Sequence, residues 1–364
     1  MKPLDRLFAA ARARPRHIIL PEGDDPRVAE AARRLADEGL ARVTLMNGPP
    51  IPGVAALVPD QATDLEELAV TWHRMRAAKG LTLERALDEM RDPIRQAAMR
   101  VHLGQADGTV GGAVATTADT VRAALQVIGR APDVQIVSSF FLMLSCGQAA
   151  PIKGGMIFAD CGMVIDPDAT ELAAIARSAA QSCRLLLQET PRVALLSFST
   201  AGSADHPSLT KIREALALIR AADPELEVDG ELQFDAALDE TIRAKKAPES
   251  RLCGRPNVFV FPDLASGNIG YKIAQRLAGI TAVGPILQGL AKPANDLSRG
   301  CSADDIVAAA VVTAAMAETS RSRTFQRSPR RLWADPTITA NEAATQSGLS
   351  EAALERMFGA KPMY

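Results

Sequence analysis

The segment KPANDLSRGCSADDIV, residues 292–307, places two hydroxyls, a guanidinium and two carboxylates around the start of a predicted helix. Arg299 offers planar, charge-assisted donors that suit phosphate or carboxylate, and the helix N-terminus adds backbone donors for an anion. Ser298 lies next to Arg299. Ser302 can cap the helix by itself, so the start of the helix does not need the hydroxyl of Ser298. This part of the segment is therefore a candidate site for an anionic group.

The same segment also has a purely structural interpretation. Ser302, followed three residues later by Asp305, resembles a capping box, although Glu or Gln is the usual partner. Asp304 and Asp305 would also stand at the positive end of the helix dipole. The local pattern leaves both interpretations of Asp305 open.

A second candidate anion site is GGAVATTADTVRAAL, residues 111–125, where a predicted strand ends in a glycine-rich turn. Thr116 and Thr117 follow the turn, and Arg122 lies in the helix after them. An ordinary strand–helix junction with Thr116 or Thr117 as the cap is the alternative. Arg76, in HRMRAAKGLT, is a weaker candidate, because a charged residue on a helix is usually solvated.

Polar residues also follow predicted strands in LSFSTAGSADHP (196–207), VDGELQFDAALDE (228–240) and FPDLASGNIGYKIAQRL (261–277). In the second stretch, Glu231 and Asp235 share a face that is compatible with metal binding or acid–base chemistry. In the third, Lys272 lies on a predicted helix. Each stretch is also typical of surface loops and helix caps. The sequence has no H-E-x-x-H, P-loop, G-x-S-x-G or dinucleotide-binding motif.

The elements that must position these residues alternate between short apolar runs and helical periodicity, which is typical of parallel sheets covered by helices. HIILP at 17–21 and RVTLM at 42–46 are predicted to form one βαβ unit, with Asp25 as N-cap, Pro26 at the first helical position and Gly39 at the helix end. Further strands are predicted at 109–114, 134–139, 155–160, 192–198 and 257–262, and helices at 118–128, 168–187, 208–222 and 268–278.

Composition sets limits on the class of protein. The 364 residues suffice for two domains, and 47% apolar with 23% charged residues is ordinary for a folded protein. A net charge of -2 gives no reason to expect nucleic acid or an anionic membrane as partner. Five scattered cysteines argue against a disulfide framework or a zinc site. No signal-peptide core or apolar run of about 20 residues is present, so we expect a cytoplasmic protein.

Several long strings, in this order, resemble the phosphate acetyltransferase (phosphotransacetylase) family within the phosphate acetyl/butyryltransferases. They are LPEGDDPRVAEAA, TTADTVRAALQVI and SSFFLM in the first half, and LSFSTAGSA, DGELQFDAA, FPDLASGNIGYKIAQRL and GPILQGLAKPANDLSRGCSADDIV in the second. The resemblance covers about residues 15–318. It implies the reversible conversion of acetyl-CoA and phosphate into acetyl phosphate and CoA.

The resemblance also implies an α/β fold with two-domain α/β/α architecture, similar to the isocitrate and isopropylmalate dehydrogenases, an active-site cleft between the domains, and a homodimer. Residues 1–133 and 285–322 would form the first domain, residues 134–284 an inserted second domain, and residues 323–364 a basic linker with a short helical tail. We expect no tightly bound cofactor: CoA, acetyl-CoA, phosphate and acetyl phosphate are substrates, and a monovalent cation is an expected activator.

Carried over position by position, the resemblance assigns three catalytic and four substrate-binding residues: Ser298, Arg299 and Asp305, and Arg76, Arg122, Thr116 and Lys272, respectively. The two arginines match family positions that hold CoA or phosphate groups, and the threonine and lysine match polar positions of the cleft. The family commonly has a more basic run around Arg76, whereas Ala77 and Ala78 stand here.

The implied chemistry is attack of the CoA thiol on acetyl phosphate within a ternary complex. A free thiol titrates near 8.5 and Asp near 3.9, a gap of about 4.6 pKa units or roughly 6 kcal/mol. Asp305 therefore serves as base only if burial raises its pKa or the proton moves in concert with attack. Cys301 is the alternative nucleophile, although the motif has no histidine partner for it.

Two alternatives share the resemblance: a phosphate butyryl- or propionyltransferase, and a non-catalytic domain that senses acetyl-CoA. The presence of Ser298, Arg299 and Asp305 favours catalysis. A dehydrogenase is disfavoured, because a nicotinamide signature and an assembled set of metal-binding carboxylates are missing from the sequence pattern.

Overall fold

The computed structural model describes residues 3–145, 154–325, 339–341 and 355. Its strands are β1 (Arg16–Leu20), β2 (Ala41–Met46), β3 (Ala55–Leu57), β4 (Gly108–Gly111), β5 (Ser138–Ser145), β6 (Gly154–Ala159), β7 (Arg192–Leu196), β8 (Glu227–Leu232), β9 (Val258–Val260), β10 (Thr281–Gln288) and β11 (Ala294–Asp296). Its helices are α1 (Pro3–Ala13), α2 (Pro26–Asp37), α3 (Leu65–Arg76), α4 (Leu83–Met90), α5 (Pro93–Leu103), α6 (Thr117–Ala123), α7 (Ala169–Leu186), α8 (Pro207–Ala222), α9 (Phe234–Leu238), α10 (Glu240–Lys246), α11 (Leu264–Leu277) and α12 (Ala303–Phe325).

The first sheet has the strand order β11-β4-β1-β2-β3, and all its strands run parallel. Its centre, β1, is buried along nearly its whole length, as expected for a parallel strand covered on both faces. β11 pairs with β4 so that Asp296 stands opposite Gly111. The carboxyl ends of β4 and β11 therefore lie side by side, and the two candidate anion-binding segments of the sequence leave the sheet there.

The second sheet has the order β10-β5-β6-β9-β7-β8. β5 runs antiparallel to both of its neighbours, while β6, β9, β7 and β8 pair in parallel. The predicted α/β class is confirmed. The expectation of parallel strands holds for the first sheet but only for part of the second, where a long antiparallel pair, β5 with β10, occupies one edge.

Helices cover the sheets with apolar stripes, and α12 is an extreme case. Residues 306–314 of this helix are buried on every side, which is the pattern of a helix enclosed by its neighbours. One polar member of that stretch, Thr313, donates to Ala309 O at 2.7 Å and accepts from Asn295 at 2.8 Å. The N-terminus of α12 is thus fixed by burial of the turns that follow it.

Several predicted elements are confirmed closely. Asp25 caps α2 by accepting from Arg27 N at 2.8 Å, Pro26 is the first helical residue, and Gly39 follows the helix with φ +64°. The strand predicted at 134–139 is largely wrong, because β5 begins at Ser138 and continues to Ser145. β3, β8, β10 and β11 were not predicted, and β11 lies inside the polar segment before the predicted helix at Asp304 and Asp305.

The chain forms one compact unit up to Met316 and a second from Ala317 onward. α12 continues to Phe325, into the segment expected to be a linker. Most of the predicted basic linker and short helical tail, residues 323–364, lies outside the described residues. The division into a discontinuous first domain and an inserted second domain stays a prediction. No helix within the described ranges has the length and apolar character needed to cross a membrane.

Candidate active site

The start of α12 holds Asp305 in a reciprocal cap with Ser302. Asp305 Oδ2 accepts from both the backbone N–H and the hydroxyl of Ser302 at 2.8 Å, and Ser302 Oγ accepts from Asp305 N at 3.2 Å. Both residues are exposed. No described residue donates a hydrogen bond to Asp305 Oδ1. The predicted cap is confirmed, and it leaves one carboxylate oxygen open.

Ser298 and Arg299 are exposed in the loop that joins β11 to α12. Ser298 O accepts from Cys301 N at 2.9 Å, and Ser298 Oγ accepts from Gly300 N at 3.3 Å, so the loop closes into a compact turn. Within the described part of the chain, no carboxylate pairs with the Arg299 guanidinium. The predicted catalytic residues thus occupy one short stretch, with an unpaired guanidinium and an accessible hydroxyl side by side.

The glycine-rich turn at residues 112–115 binds a carboxylate of the chain itself. Glu22 Oε2 accepts from Gly112 N at 2.7 Å and Ala113 N at 2.8 Å. Glu22 Oε1 accepts from Val114 N at 3.1 Å and Ala115 N at 2.7 Å. Consecutive N–H groups of this kind form an anion-binding nest. The sequence pattern was right about the geometry of the turn, but Glu22 occupies the place predicted for phosphate.

Thr116 caps α6, as the structural alternative predicted. Its hydroxyl accepts from Asp119 N at 3.2 Å and donates to Asp119 Oδ2 at 2.7 Å. One turn on, Arg122 pairs with the other oxygen of Asp119 at 2.6 Å. Thr116 therefore stabilises the helix that carries Arg122, and it remains exposed at the carboxyl edge of the first sheet.

A cavity of about 290 Å³ brings Arg76 and Arg122 together. Five cationic side chains and one carboxylate line it: Arg76, Lys79, Arg85, Arg95, Arg122 and Glu89. α6, which contributes Arg122, also packs against β11, the strand before the Ser298 loop. The cavity is positively charged although alanines follow Arg76, because α4 and α5 supply additional arginines.

Trp72 forms one wall of this cavity and organises its charges. The guanidinium groups of Arg76 and Arg95 each lie 5.4 Å from the centre of the Trp72 ring, a cation–π geometry. The indole N–H donates to Glu89 at 2.8 Å, and Glu89 pairs with Arg85 and Arg95 at 3.4 Å. Sequence reasoning missed Arg85 and Arg95, because they come from different helices and no local spacing connects them.

Lys272 is the remaining predicted residue. It is exposed on α11, and its ammonium group stands 5.8 Å from the ring centre of its neighbour Tyr271. Among the described residues, no hydrogen bond or ion pair joins Lys272 to the Ser298 loop or to the basic cavity. Its predicted role in the cleft stays a prediction.

Asp296 is a further residue near the site, and its environment is unusual. It ends β11 and is 1% exposed, and neither of its carboxylate oxygens has a hydrogen-bond partner among the described residues. Thr120, on the adjacent helix, donates to Thr116 O instead. Burial raises the pKa of Asp296 to about 6, against the nearby hydroxyls of Thr117 and Thr120. The sequence pattern gave no signal for this burial.

Gly112 explains how the Asp296 carboxylate fits. Gly112 has φ +98°, and a Cβ atom at this position would overlap Asp296 Oδ1. Only glycine combines this backbone conformation with the close approach. The turn that holds Glu22 therefore also accommodates Asp296, and the two carboxylates lie near enough for Glu22 to add to the rise in the pKa of Asp296.

Cys301 is poorly suited to act as a nucleophile. Its side chain is 6% exposed, and burial raises the pKa of the thiol. The nearby Arg27 opposes this rise, whereas Asp305 and Asp25 add to it. A thiol that stays protonated is a weak nucleophile. The structure thus favours direct transfer over a covalent acyl-cysteine.

Glu231 and Asp235 serve structural purposes. Glu231 accepts from Arg213 at 2.8 and 3.0 Å and from Ser199 at 2.9 Å. Burial would raise the pKa of Glu231, but these bonds and one from Gly202 outweigh burial and lower it to about 2. Asp235 pairs with Lys246 at 3.0 Å. In the parts of the chain that are described, no three metal-binding side chains converge, so the suggestion of a metal site at Glu231 and Asp235 finds no support.

Comparison with known proteins defines the class. The solved phosphotransacetylase of Streptococcus pyogenes superposes with a TM-score of 0.80 at 42% identity, covering 86% of this chain and 99% of that chain. The phosphate acetyltransferase of Paracoccus denitrificans is 78% identical over 314 residues, which is 86% of this chain and 99% of the relative. That of Acetivibrio thermocellus is 42% identical over 328 residues, covering 87% and 99%. Fold and relatives define an α/β acyltransferase.

The profile of the phosphate acetyl/butaryl transferase family matches residues 3–314. This chain belongs to that family.

Proposed function

We propose that this chain catalyses the reversible transfer of an acetyl group between CoA and inorganic phosphate. Family membership and the 78% identical phosphate acetyltransferase support this function. Among the structural features, the basic cavity at Arg76 and Arg122 carries the proposal furthest, because CoA brings phosphate groups that need cationic partners. Five cationic side chains around one carboxylate leave the cavity with a net positive charge that suits such anionic groups.

The cavity is proposed to bind the phosphate-rich part of CoA. Arg76 is held against Trp72 but pairs with no carboxylate among the described residues, so its donors are available. Arg122 is fixed by Asp119 and still faces the cavity. Glu89 already neutralises part of the charge of Arg85 and Arg95. Arg76 and Arg122 are therefore the proposed principal contacts of the CoA phosphates.

The proposed catalytic centre is the loop with Ser298 and Arg299 together with Asp305. The thiol sulfur of CoA attacks the acetyl carbon of acetyl phosphate, a C–S bond forms, and the C–O bond to phosphate breaks. Arg299 stabilises charge on the acyl oxygen or the leaving phosphate, and Ser298 donates to the thiol or the carbonyl. Asp305 accepts the thiol proton. In the reverse direction, cationic groups place phosphate as the nucleophile.

The accessible position of Asp305 favours proton transfer in concert with attack. Its carboxylate is exposed, Ser302 binds one of its oxygens, and the other oxygen is open to a substrate. A concerted transfer requires only that the open oxygen meets the thiol as the C–S bond forms. The capping box would hold the carboxylate still for that encounter.

We also propose that the enzyme is a homodimer without a tightly bound cofactor, acts in the cytoplasm, and is stimulated by a monovalent cation. The apolar residues Ile269, Ile273 and Leu277, spaced four apart on α11, are 58%, 53% and 84% exposed. A stripe of this kind on a helix is a common feature of an interface. Light scattering on the purified chain tests whether it is a dimer. An activity assay with and without potassium tests the stimulation by a monovalent cation.

The experiment that tests the function is release of CoA from acetyl-CoA by the purified chain with and without inorganic phosphate. Acetyl transfer predicts phosphate-dependent release with equal formation of acetyl phosphate. Release that ignores phosphate would indicate a hydrolase, and binding of acetyl-CoA without turnover would indicate the sensing domain. Butyryl-CoA, used in parallel, measures the tolerated acyl length.

A further inference from the structure

The guanidinium of Arg27 joins three segments around the candidate active site. Its Nη1 donates to the backbone oxygens of Arg299 and Cys301, each at 2.8 Å. Its Nη2 donates to Ala113 O at 3.0 Å and to Asp25 at 2.8 Å, and its Nε donates to Asp25 at 3.0 Å. An arginine side chain has five N–H donors, so these five bonds use all of them. Arg27 therefore has no donor left for a substrate.

Two of these bonds fix the loop that carries Ser298 and Arg299. The bound oxygens belong to the residues on either side of Gly300, where the chain has most conformational freedom. The bond from Cys301 N to Ser298 O closes the same turn from within. Arg27 anchors that turn from outside, and so sets the direction in which the Arg299 side chain leaves the loop.

The third bond connects this loop with the turn at 112–115. Arg27 binds the oxygen of Ala113, while Glu22 binds the N–H groups of the same turn. Glu22 lies in the short connection between β1 and α2, and Arg27 lies in the first turn of α2. This part of the chain thus fastens the two segments that carry the predicted residues Thr116, Ser298 and Arg299.

Charge and shape favour arginine at position 27. Asp25 binds the guanidinium through both oxygens, a bidentate pair that raises the pKa of Arg27 and lowers that of Asp25. Lysine would offer three donors from a single nitrogen and cannot span a carboxylate and three separated carbonyl oxygens. Lysine at this position therefore tests the geometry while keeping the charge.

We propose that Arg27 is a positioning residue of the acyl-transfer centre, which fixes residues 299–301 so that Ser298 and Arg299 meet the substrates in a productive orientation. This inference rests on the proposed function. Because Arg27 acts through the loop and not on CoA, its loss lowers kcat far more than it weakens CoA binding at Arg76 and Arg122.

The test compares Arg27→Lys and Arg27→Ala with the wild type in the phosphate-dependent assay, with CoA Kd and thermal unfolding measured on the same preparations. We expect kcat to fall roughly 100-fold, the effect of a misplacement of about 1 Å. We expect the CoA Kd to change by less than about threefold. Added guanidinium ion should restore part of the kcat of Arg27→Ala, whereas ammonium at the same concentration should not.

Arg34→Ala is the matched control. Arg34 lies on the same helix, α2, and pairs with Asp304 of α12 at 2.5 Å, so the variant removes another arginine that connects α2 with the start of α12, close to the Ser298 loop. We expect it to keep the wild-type kcat. If Arg27→Ala fails to fold, Arg27→Lys still carries the test.

A kcat of Arg27→Lys within about twofold of the wild type would overturn the inference, and so would a loss confined to CoA Kd. Lower thermal stability with a normal kcat per folded molecule would equally reduce Arg27 to a structural residue. A wild-type chain without phosphate-dependent transfer would overturn the proposed function itself. The wild type is assayed first, so this failure is distinguished from a failure of the inference about Arg27.

Discussion

Ser302 and Asp305 hold each other at the start of α12 by hydrogen bonds in both directions. Asp305 Oδ2 accepts the N–H and the O–H of Ser302 at 2.8 Å, while Ser302 Oγ accepts from Asp305 N at 3.2 Å. The helix cap and the proposed proton acceptor are therefore the same carboxylate. The cap orients a group whose other oxygen remains open to the substrate.

Replacement of Asp305 by Asn should lower turnover sharply while CoA binding changes little. The amide cannot accept the thiol proton, whereas the proposed binding site of the CoA phosphates, at Arg76 and Arg122, is left unchanged. We expect kcat to fall by roughly 100-fold or more, within the usual range for loss of a general base. Steady-state kinetics with acetyl phosphate and CoA measures this, and near-normal turnover would contradict the role of Asp305.

Ser302→Ala is the companion variant, because it removes the hydroxyl that binds the same carboxylate. We expect a loss of about 1 kcal/mol in the free energy of unfolding, the usual effect of a lost N-cap. Asp305 keeps its chemistry but loses an orienting bond, so kcat should fall less than in Asp305→Asn. Urea unfolding and kinetics on the same samples separate the two effects.

Replacement of Arg76 or Arg122 by Ala should weaken CoA binding. A charge-assisted hydrogen bond contributes roughly 1.5–3 kcal/mol, so each variant should raise the Kd of CoA at least about tenfold. Calorimetric titration with CoA measures this change directly. Arg33→Ala is a suitable control, since Arg33 pairs with Glu30 and Asp37 on the surface of α2. Equal Kd values for all three variants would exclude the cavity as the CoA site.

Replacement of Asp296 by Asn should stabilise the protein above neutral pH. The pKa of Asp296 is about 6 in the folded chain, above its ordinary value of 3.8. The stability that goes with the neutral carboxyl is thus fully present below pH 3.8 and is lost as pH rises through 6. At pH 8 we expect Asp296→Asn to exceed the wild type by roughly 1–3 kcal/mol in the free energy of unfolding.

At pH 3.5 the same variant should have no advantage, and chemical denaturation at both pH values measures the difference. Glu231→Gln provides a control of opposite sign. The pKa of Glu231 is lowered to about 2 from 4.5, so its stabilising effect is present above pH 4.5 and is lost as pH falls towards 2. The contrary result is a stability difference between Asp296→Asn and the wild type that is less favourable to the variant at pH 8 than at pH 3.5. It would mean that a group binds and stabilises the ionised carboxylate of Asp296.

Cys301→Ala should retain most of its activity. The thiol is buried and kept protonated, and Arg27 binds the backbone oxygen of this residue, which alanine preserves. We expect kcat within about threefold of the wild type. Loss of activity together with a trapped acetyl-protein species in mass spectra of the wild type would instead establish a covalent route.

Local patterns predicted much of the first sheet and the helix ends. Asp25, Pro26 and Gly39 act through their nearest neighbours, so the bounds of α2 could be read from the sequence. β11 could not, because three residues carry no periodicity and become a strand only through pairing with β4. The strand expected at 134–139 failed for a related reason, since pairing with β6 and β10 sets the position of β5.

The site divides in the same way. Ser298, Arg299 and Asp305 are adjacent in the sequence, and the cap between Ser302 and Asp305 followed from their spacing. The cavity could not be foreseen, because Arg85 and Arg95 reach it from separate helices. The binding of Glu22 in the turn at 112–115 could not be foreseen either. Nothing in the sequence of that turn indicates that a carboxylate from a distant segment binds its N–H groups.

The Glu22 carboxylate prevents the turn at 112–115 from binding phosphate, the ion that takes part in the proposed reaction. Glu22 is tethered to the same polypeptide and engages four successive amides, so a phosphate ion from solution would have to compete with a ligand that never diffuses away. A cell rich in phosphate would therefore leave this turn unchanged. In the proposed mechanism, substrate phosphate binds instead at guanidinium groups without such an internal competitor, among them Arg299, so the structural carboxylate and the reacting anion occupy different places in the fold.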